Sequence, residues 1–283
     1  MQEQLRDHYN NPLLQSQIEK AMGALDLSPE TVTHTDLAPI EEFHIGGRAA
    51  TEALLPLLRL GEGHEALDIG CGTGGTARYA AATYGCDVTG IDLTPVFIET
   101  GKSLSAWLNL SARVTLERRS ALDTGLDDGR FDAAWMFHVG MNIAEKRELF
   151  AELTRILKPG AGLLVYDIMR GEDETTPLTF PLPWASDASH SYVASPDDYE
   201  AAMETAGLII DGVTPRQDLA ERFFDRMTSG GTGANSPLAT SLLMGADAAE
   251  KTSNLLAAWR SGQIIPVQIL ARKPANPPVA ETD

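Results

Sequence analysis

The stretch Glu65–Ala81, EALDIGCGTGGTARYAA, constrains the fold of this chain more than any other. A short apolar strand, Ala66 to Ile69, runs into Gly70, Gly72, Gly74 and Gly75, and a helix-forming run, Thr76 to Ala82, follows at once. Glycines belong where a backbone turns tightly and comes close to a ligand, because a Cβ would collide there. A second apolar strand, Asp87 to Ile91, leads to Asp92, where an acid would hold ribose hydroxyls. Strand, glycine loop, helix, strand and acid form the opening half of a nucleotide-cofactor fold.

Gly70, Gly72 and Gly75 also fit the G-x-G-x-x-G dinucleotide fingerprint, so the cofactor has to be argued separately. Asp68 stands two residues before the first glycine. A carboxylate there repels a pyrophosphate and attracts a ligand carrying an ammonium and a sulfonium. S-adenosylmethionine is such a ligand, and it has a ribose for Asp92. The competing reading is that Asp68 caps N–H groups of the loop itself.

Bulk properties narrow the partners. The chain has 283 residues, 43% of them hydrophobic, enough for one large domain or one domain with a cap. Its formal net charge of −18 argues against nucleic acid and against anionic membranes, which both need clustered Lys and Arg. With only Cys71 and Cys86, neither a disulfide framework nor a zinc cluster is expected, and no metal is assigned. Met1 to Asn11 is polar and charged, and no apolar run approaches a membrane span. The expectation is a cytoplasmic monomer or homodimer acting on a small molecule.

Beyond the loop, apolar segments alternate with helical ones: Pro95–Leu108, Val114–Glu117, Phe131–Phe137, Ile143–Leu157, Leu163–Ile168, Pro196–Ala206, Leu208–Val213 and Ile264–Arg272. This predicts a doubly wound, mostly parallel seven-stranded α/β sheet. Residues 1–45 read as a helical arm or lid, with Ser28–Pro39 as a polar connector inside it. Residues 46–215 and 262–274 read as the cofactor-binding core, 216–261 as a helical cap insertion and 275–283 as a disordered tail. The arm, the cap and the Pro-rich segment Gly171–Asp197 are the places to look for substrate contacts.

The loop, Asp92, SALDTGLDDGRFD after the third strand and RILKPGAGLLVYDI together resemble the class I S-adenosylmethionine-dependent methyltransferases over nearly the whole chain. The resemblance implies cofactor contacts from Asp68, Gly70, Cys71, Gly72, Gly74, Asp92, Leu93, Phe137 and His138, with Ala121 and Leu122 beside the adenine. FHIGGRAAT, HVGMNI, FPLPWA and LLMG…NLLAAWRSGQI look like small-molecule enzymes of that class, with the sarcosine and dimethylglycine N-methyltransferases the nearest group. N-methylation of a small amine is therefore the expected activity. The alternatives are an O- or C-methyltransferase on a quinone, phenol or polyketide, and a non-catalytic binding protein. The expected cluster of arginines for an amino-acid carboxylate is missing; Arg48, Arg170 and Arg222 are the candidates.

Methyl transfer is an in-line displacement that needs alignment and exclusion of water, and needs a base only when the nucleophile must lose a proton. His138, after the fourth strand, either activates the acceptor or hydrogen-bonds cofactor or backbone. His44 in FHIGG either lies over the methionine end of the cofactor, as the resemblance implies, or caps a helix. Trp184 offers an apolar wall and a face for cations, or anchors its loop. These three are the catalytic candidates. Trp184, Met141, Asn142 and Tyr192 are the substrate-binding ones, with His190 behind them. Phe223, Phe224 and Met227 recur at helical spacing, as a packed face first and a pocket wall second. His8 and Tyr9 could reach the site only if the arm closes. His34 and His64 read as connector residues, Asp127, Asp128 and Asp132 as a solvated turn, and Cys71 as a small filler.

Overall fold

The computed structural model describes residues 11–173, 175–229 and 236–275. His8, Tyr9 and the tail from residue 276 onward lie outside the described residues. Seven strands form one sheet: β1 (Glu65–Ile69), β2 (Asp87–Asp92), β3 (Val114–Arg118), β4 (Phe131–Phe137), β5 (Leu157–Arg170), β6 (Ile209–Pro215) and β7 (Ile264–Arg272). Their order is β3-β2-β1-β4-β5-β7-β6. All neighbours are parallel except β7, which runs antiparallel to both β5 and β6. The expected doubly wound, mostly parallel sheet is what the chain forms.

Alternation along the central strands separates two apolar layers. Leu67 and Ile69 of β1 join Ala134 and Met136 of β4 on one face, whereas Ala66, Trp135 and Phe137 point to the other. The first layer is closed by helix Lys146–Ile156 and the second by helix Gly75–Tyr84. Trp135, Phe131, Phe150 and Leu67 are fully buried, each such side chain stabilising the fold by about 1.5–3 kcal/mol. Strand order reverses between β2 and β4 on either side of β1, so the loops leaving β1 and β4 diverge and open a crevice at the carboxyl edge.

Numbered in chain order, the helices are α1 (Leu14–Gly23), α2 (His34–Glu41), α3 (Arg48–Leu54), α4 (Gly75–Tyr84), α5 (Pro95–Trp107), α6 (Lys146–Ile156), α7 (Pro196–Thr205), α8 (Gln217–Thr228), α9 (Ser241–Met244) and α10 (Ala248–Arg260). Three expectations need correction. The supposed connector Ser28–Pro39 contains most of α2, started by a capping box in which Thr33 and Asp36 satisfy each other's backbone N–H groups. The helix expected from Ile143 starts only at Lys146, because Gly140–Asn142 forms a separate 3-10 turn. The LKPGAG turn survives as a bulge inside β5, between the pairs Phe131–Leu157 and Ala133–Gly162.

The arm and the insertion pack on each other. Leu14, Ile18 and Met22 of α1 share a buried cluster with Leu238 and Leu243 of the insertion and with Phe97 and Leu104 of α5. A second cluster joins Trp184 and Leu182 to Ala220, Phe224, Leu255 and Ile45. Both clusters stand over the carboxyl edge of the sheet, where the crevice opens.

Candidate active site

The chain turns as soon as β1 ends, and Gly70 and Gly72 take φ of +67° and +55°. A Cβ on Gly70 would stand 2.3 Å from Val139 Cγ2, so the bare glycine lets the loops after β1 and β4 touch. A Cβ on Gly72 would meet nothing within 4 Å, which leaves its backbone open to a ligand. Asp92 fixes this loop: its Oδ2 accepts from Gly72 N–H at 3.0 Å and its Oδ1 from Thr94 N–H at 2.8 Å. Burial raises the Asp92 carboxyl above its ordinary range, opposed by those backbone donors.

Under the loop lies a cavity of about 160 Å³. Of the residues expected around a cofactor, Asp68, Gly70, Cys71, Gly72, Asp92, Leu93, Ala121, Leu122, Phe137 and His138 all line it. Gly74 does not. It is the N-cap of α4 at φ +86°, and a Cβ there would press on Leu116 and Arg78, so its glycine is required for packing. Cys71 is buried, and burial followed by the charge of Asp68 holds its thiol well above the usual range, as suits a filler and not a nucleophile.

The cavity is acidic. Asp68 is 3% exposed, and burial, then the neighbouring Glu42 charge, push its carboxyl well above the usual carboxylate range. Asp68 Oδ2 and Glu41 Oε2 are buried and have no hydrogen-bond partner among the described residues. Orphaned buried carboxylate oxygens are costly, and a cationic ligand between them would relieve that cost.

A second cavity, of about 110 Å³, adjoins the first; Phe43, His44 and His138 belong to the walls of both. Its remaining lining is mostly apolar, including Met141, Ile168, Trp184, Phe223, Met227 and Leu255. The structure thus brings the three catalytic candidates to one place but separates their chemistry. His44 is clamped: its Nε2 meets Glu42 Oε2 at 3.0 Å and its Nδ1 lies 3.4 Å from Ile45 O. His138, in the left-handed region at φ +54°, carries a buried Nε2 with no partner. Burial, then the nearby His44, lower its pKa well below the usual histidine value and keep its imidazole neutral. Trp184 is 1% exposed and donates from Nε1 to Ser191 Oγ at 2.9 Å, so its ring walls the chamber while its edge anchors the loop.

The substrate candidates divide between the chambers. Met141 lines the second, whereas Asn142, Tyr192 and His190 line the first. Asn142 Nδ2 donates to Trp184 O at 2.8 Å, and Tyr192 N–H to Met141 O at 2.7 Å, which ties the Pro-rich segment to the turn after His138. Phe223 and Met227 face the second chamber; Phe224 stacks on Trp259 with ring centroids 4.7 Å apart. None of the three arginines lines either cavity. Arg48 donates to Glu42 Oε1 at 2.7 Å, Arg222 is exposed and paired with Asp218, and Arg170 ends β5. His34 is no idle connector residue: its Nδ1 meets Arg48 Nη1 at 3.1 Å. Asp128 and Asp132 pair with Arg155 and Lys158 away from the site.

Sequence reasoning missed Glu41 and Glu42. Both are more than nine-tenths buried at the end of α2. Glu41 pairs with the fully buried Arg78, which also donates to Thr73 O at 2.7 Å and Gly101 O at 3.0 Å and so braces the glycine loop. Glu42 receives Arg48, His44, Thr51 and Thr76. Burial alone would raise its carboxyl, but the hydrogen bond and charge of His44, with Arg48 and Thr51, bring it down to about 2. The signal was the T-x-x-D capping box, which makes α2 a helix and points its final carboxylates inward.

Residues 66–160 match the family model described as "Methyltransferase domain". The chain is 32% identical over 160 residues to 2-methyl-6-phytyl-1,4-hydroquinone methyltransferase of Synechocystis sp., covering 54% of this chain and 48% of that protein. It is 27% identical over 169 residues to glycine/sarcosine/dimethylglycine N-methyltransferase of Actinopolyspora halophila, covering 59% and 29%. A crystal structure of a putative sarcosine dimethylglycine methyltransferase from Galdieria sulphuraria shares the fold, with a TM-score of 0.66 at 19% identity over 80% of this chain and 86% of that one. The chain spans 27% to 48% of the length of the first curated relatives it matches. Among the described residues no helix is long and apolar enough to cross a membrane. With this strand order, this glycine loop and this domain match, the chain carries a methyltransferase domain of the class I S-adenosylmethionine-dependent family.

Proposed function

We propose that this protein transfers a methyl group from S-adenosylmethionine to a small molecule. One observation carries the reading: the cavity under the glycine loop presents two buried carboxylate oxygens without partners, Asp68 Oδ2 and Glu41 Oε2. A pyrophosphate would be repelled there, whereas an ammonium and a sulfonium would be attracted. Asp92, at the end of β2, is the ribose partner, and Ala121, Leu122 and Leu93 offer apolar walls for the adenine. When bound, the cofactor supplies an electrophilic methyl group. The protein's share is to align the acceptor at the His44–His138 wall common to both cavities and to exclude water with Phe43, Trp184 and the packed cap.

In this reading residues 46–215 and 262–274 serve as the cofactor core, and the arm and the insertion shape the acceptor chamber. N-methylation of a small amine, such as sarcosine or dimethylglycine, draws support from the Actinopolyspora halophila relative. O- or C-methylation draws support from the Synechocystis sp. relative and from the apolar lining of the second chamber. Calorimetry tests the cofactor half. S-adenosylmethionine and S-adenosylhomocysteine should bind and NAD should not; binding of NAD alone would end the proposal. Asp92→Ala should weaken S-adenosylhomocysteine about tenfold or more, because both the ribose partner and the Gly72 anchor go.

A further inference from the structure

We propose that the second chamber binds an apolar acceptor bearing one hydroxyl on an sp2 carbon, a phenol or enol, and that His138 Nε2 receives the hydroxyl proton as the methyl arrives. This rests on the methyltransferase reading above and names the acceptor that the reading leaves open.

The chamber's polar groups make the selection. Among the described residues that line it, none is Lys or Arg, so an amino-acid carboxylate would be buried without a counter-charge. Its one carboxylate, Glu42, is already saturated: Oε1 accepts from Arg48, while His44, Thr51 and Thr76 crowd Oε2 at 3.0, 2.7 and 3.3 Å. No acceptor is left there for a substrate ammonium. Trp184 spends its indole N–H on Ser191, and Thr252 Oγ1 contacts Met244 Sδ at 3.9 Å. The wall has one buried side-chain nitrogen with unused hydrogen-bonding capacity, His138 Nε2, and it lies where both cavities meet. A zwitterionic glycine derivative therefore finds neither of its charges answered, whereas a hydroxyl finds its single partner.

The acidity of the acceptor follows from the same imidazole. His138 is neutral, held so by burial and by the neighbouring His44, and so has a lone pair available at neutral pH. A hydroxyl on an aromatic ring, with a pKa near 10 as in tyrosine, can pass its proton to that imidazole as the oxygen gains positive character; an aliphatic alcohol lies too far away in acidity. The balance is complete: the acceptor's O–H bond breaks toward Nε2, the O–CH3 bond forms, and the C–S bond breaks with its electron pair returning to sulfur. The product leaves as a methyl ether, and the imidazolium returns its proton to solvent. His44 cannot take this role, since Nε2 is held by Glu42 and Nδ1 faces a backbone carbonyl. It acts as a positioning residue, fixing the wall against which His138 stands, with ring centroids 5.9 Å apart.

The size is set by Phe223, Met227, Trp184 and Leu255. A chamber of about 110 Å³ is somewhat smaller than the ~150 Å³ apolar cavity that admits benzene. Because this one continues into the first cavity, a single ring with a short apolar substituent is the fitting probe.

The test is equilibrium binding, followed calorimetrically and by the near-ultraviolet band of the phenol, to the full chain saturated with S-adenosylhomocysteine. The probes are 4-propylphenol, propylbenzene and dimethylglycine. 4-Propylphenol should bind about tenfold or more tighter than dimethylglycine and show a red-shifted band, reporting a hydrogen bond to a neutral imidazole. Met227→Glu should weaken it about tenfold or more while leaving S-adenosylhomocysteine affinity unchanged, which also shows that the variant is folded. His138→Ala should abolish the band shift and bring 4-propylphenol close to propylbenzene. The proposal is overturned if dimethylglycine binds as tightly as the phenol, if Met227→Glu has no effect, or if the band shift survives in His138→Ala. If S-adenosylhomocysteine itself fails to bind, the methyltransferase reading falls and this inference with it.

Discussion

Asp167→Asn should make the protein more stable, and by an amount that grows with pH. Asp167 lies on β5, fully buried, directly beneath the turn that follows His138; a Cβ on Gly140 would come within 2.5 Å of its Oδ2. Tyr199 O–H donates to Oδ2 at 2.8 Å and Ile168 N–H to Oδ1 at 2.9 Å. Burial raises the carboxyl from 3.8 to about 6, although Tyr199's hydrogen bond and the Lys146 charge oppose the rise. Because the folded value is the higher one, the folded state binds more protons than the unfolded chain between those two pH values. Stability from this group is therefore fully present below about pH 4 and is lost as pH rises through about 6. At full ionisation the loss is about 3 kcal/mol, and between pH 4.5 and 7.5 it is about 2 kcal/mol.

An asparagine keeps the shape and both contacts, since its oxygen can accept from Ile168 and its NH2 can donate to the Tyr199 hydroxyl. It does not ionise, so any constant offset cancels when two pH values are compared. Urea unfolding of both proteins at pH 4.5 and 7.5 should show the stability difference, variant minus parent, growing by about 2 kcal/mol toward high pH. A difference that is flat with pH, or that shrinks, would refute the reasoning and mean that Lys146 and Tyr199 compensate the buried charge in full.

The other consequences are simpler. Gly70→Ala should lower the melting temperature and cost about tenfold or more in S-adenosylhomocysteine affinity, because a Cβ 2.3 Å from Val139 forces apart the two loops that frame the cavity. Glu42→Gln should cost about 3 kcal/mol at pH 7 in urea unfolding. The native carboxyl at about 2 lies below its ordinary value, so this contribution is present above pH 4.5 and lost as pH falls toward 2. Binding of S-adenosylmethionine should release protons and tighten as pH rises, since the ligand's charge favours the ionised form of Asp68; calorimetry in buffers of different ionisation heat reads this directly, and Asp68→Asn should remove it. Phe224→Ala should cost about 3–5 kcal/mol by chemical unfolding, through the cavity it opens against Trp259.

The sheet was legible in the sequence because each central strand is buried on both faces, and such strands stand out as short apolar runs between glycine- and proline-marked turns. Phe131–Phe137 and Ile264–Arg272 keep their expected bounds for that reason. The cofactor wall was legible for a related one: a backbone that must pass close to a ligand needs glycine, and the acid after β2 follows from chain direction. What could not be read were contacts made across long sequence separations. Arg78 meets Glu41 from a helix 37 residues away, and Asp167 meets Tyr199 from 32. No local period announces such pairs. The helix that carries Glu41 and Glu42 was hidden by its weak amphipathic pattern and by Pro39, although its capping box was in view.

The same division explains why the methyl donor could be inferred from the sequence and the acceptor could not. The donor site is built from one contiguous supersecondary unit, β1 through β3, where residue spacing maps onto position. The acceptor chamber is assembled from Phe43, Met141, Ile168, Trp184, Met227 and Leu255, which come from six separate segments and converge only after the arm and the insertion have packed over the sheet. Substitutions in those segments can reshape the chamber without touching the glycine loop. His138 is the exception, since it belongs to both walls, and its left-handed backbone is set by the fourth strand's exit. Acceptor choice in this chain should therefore vary with Phe223, Met227 and Leu255, while removal of the His138 imidazole should depress turnover of any acceptor that must lose a proton.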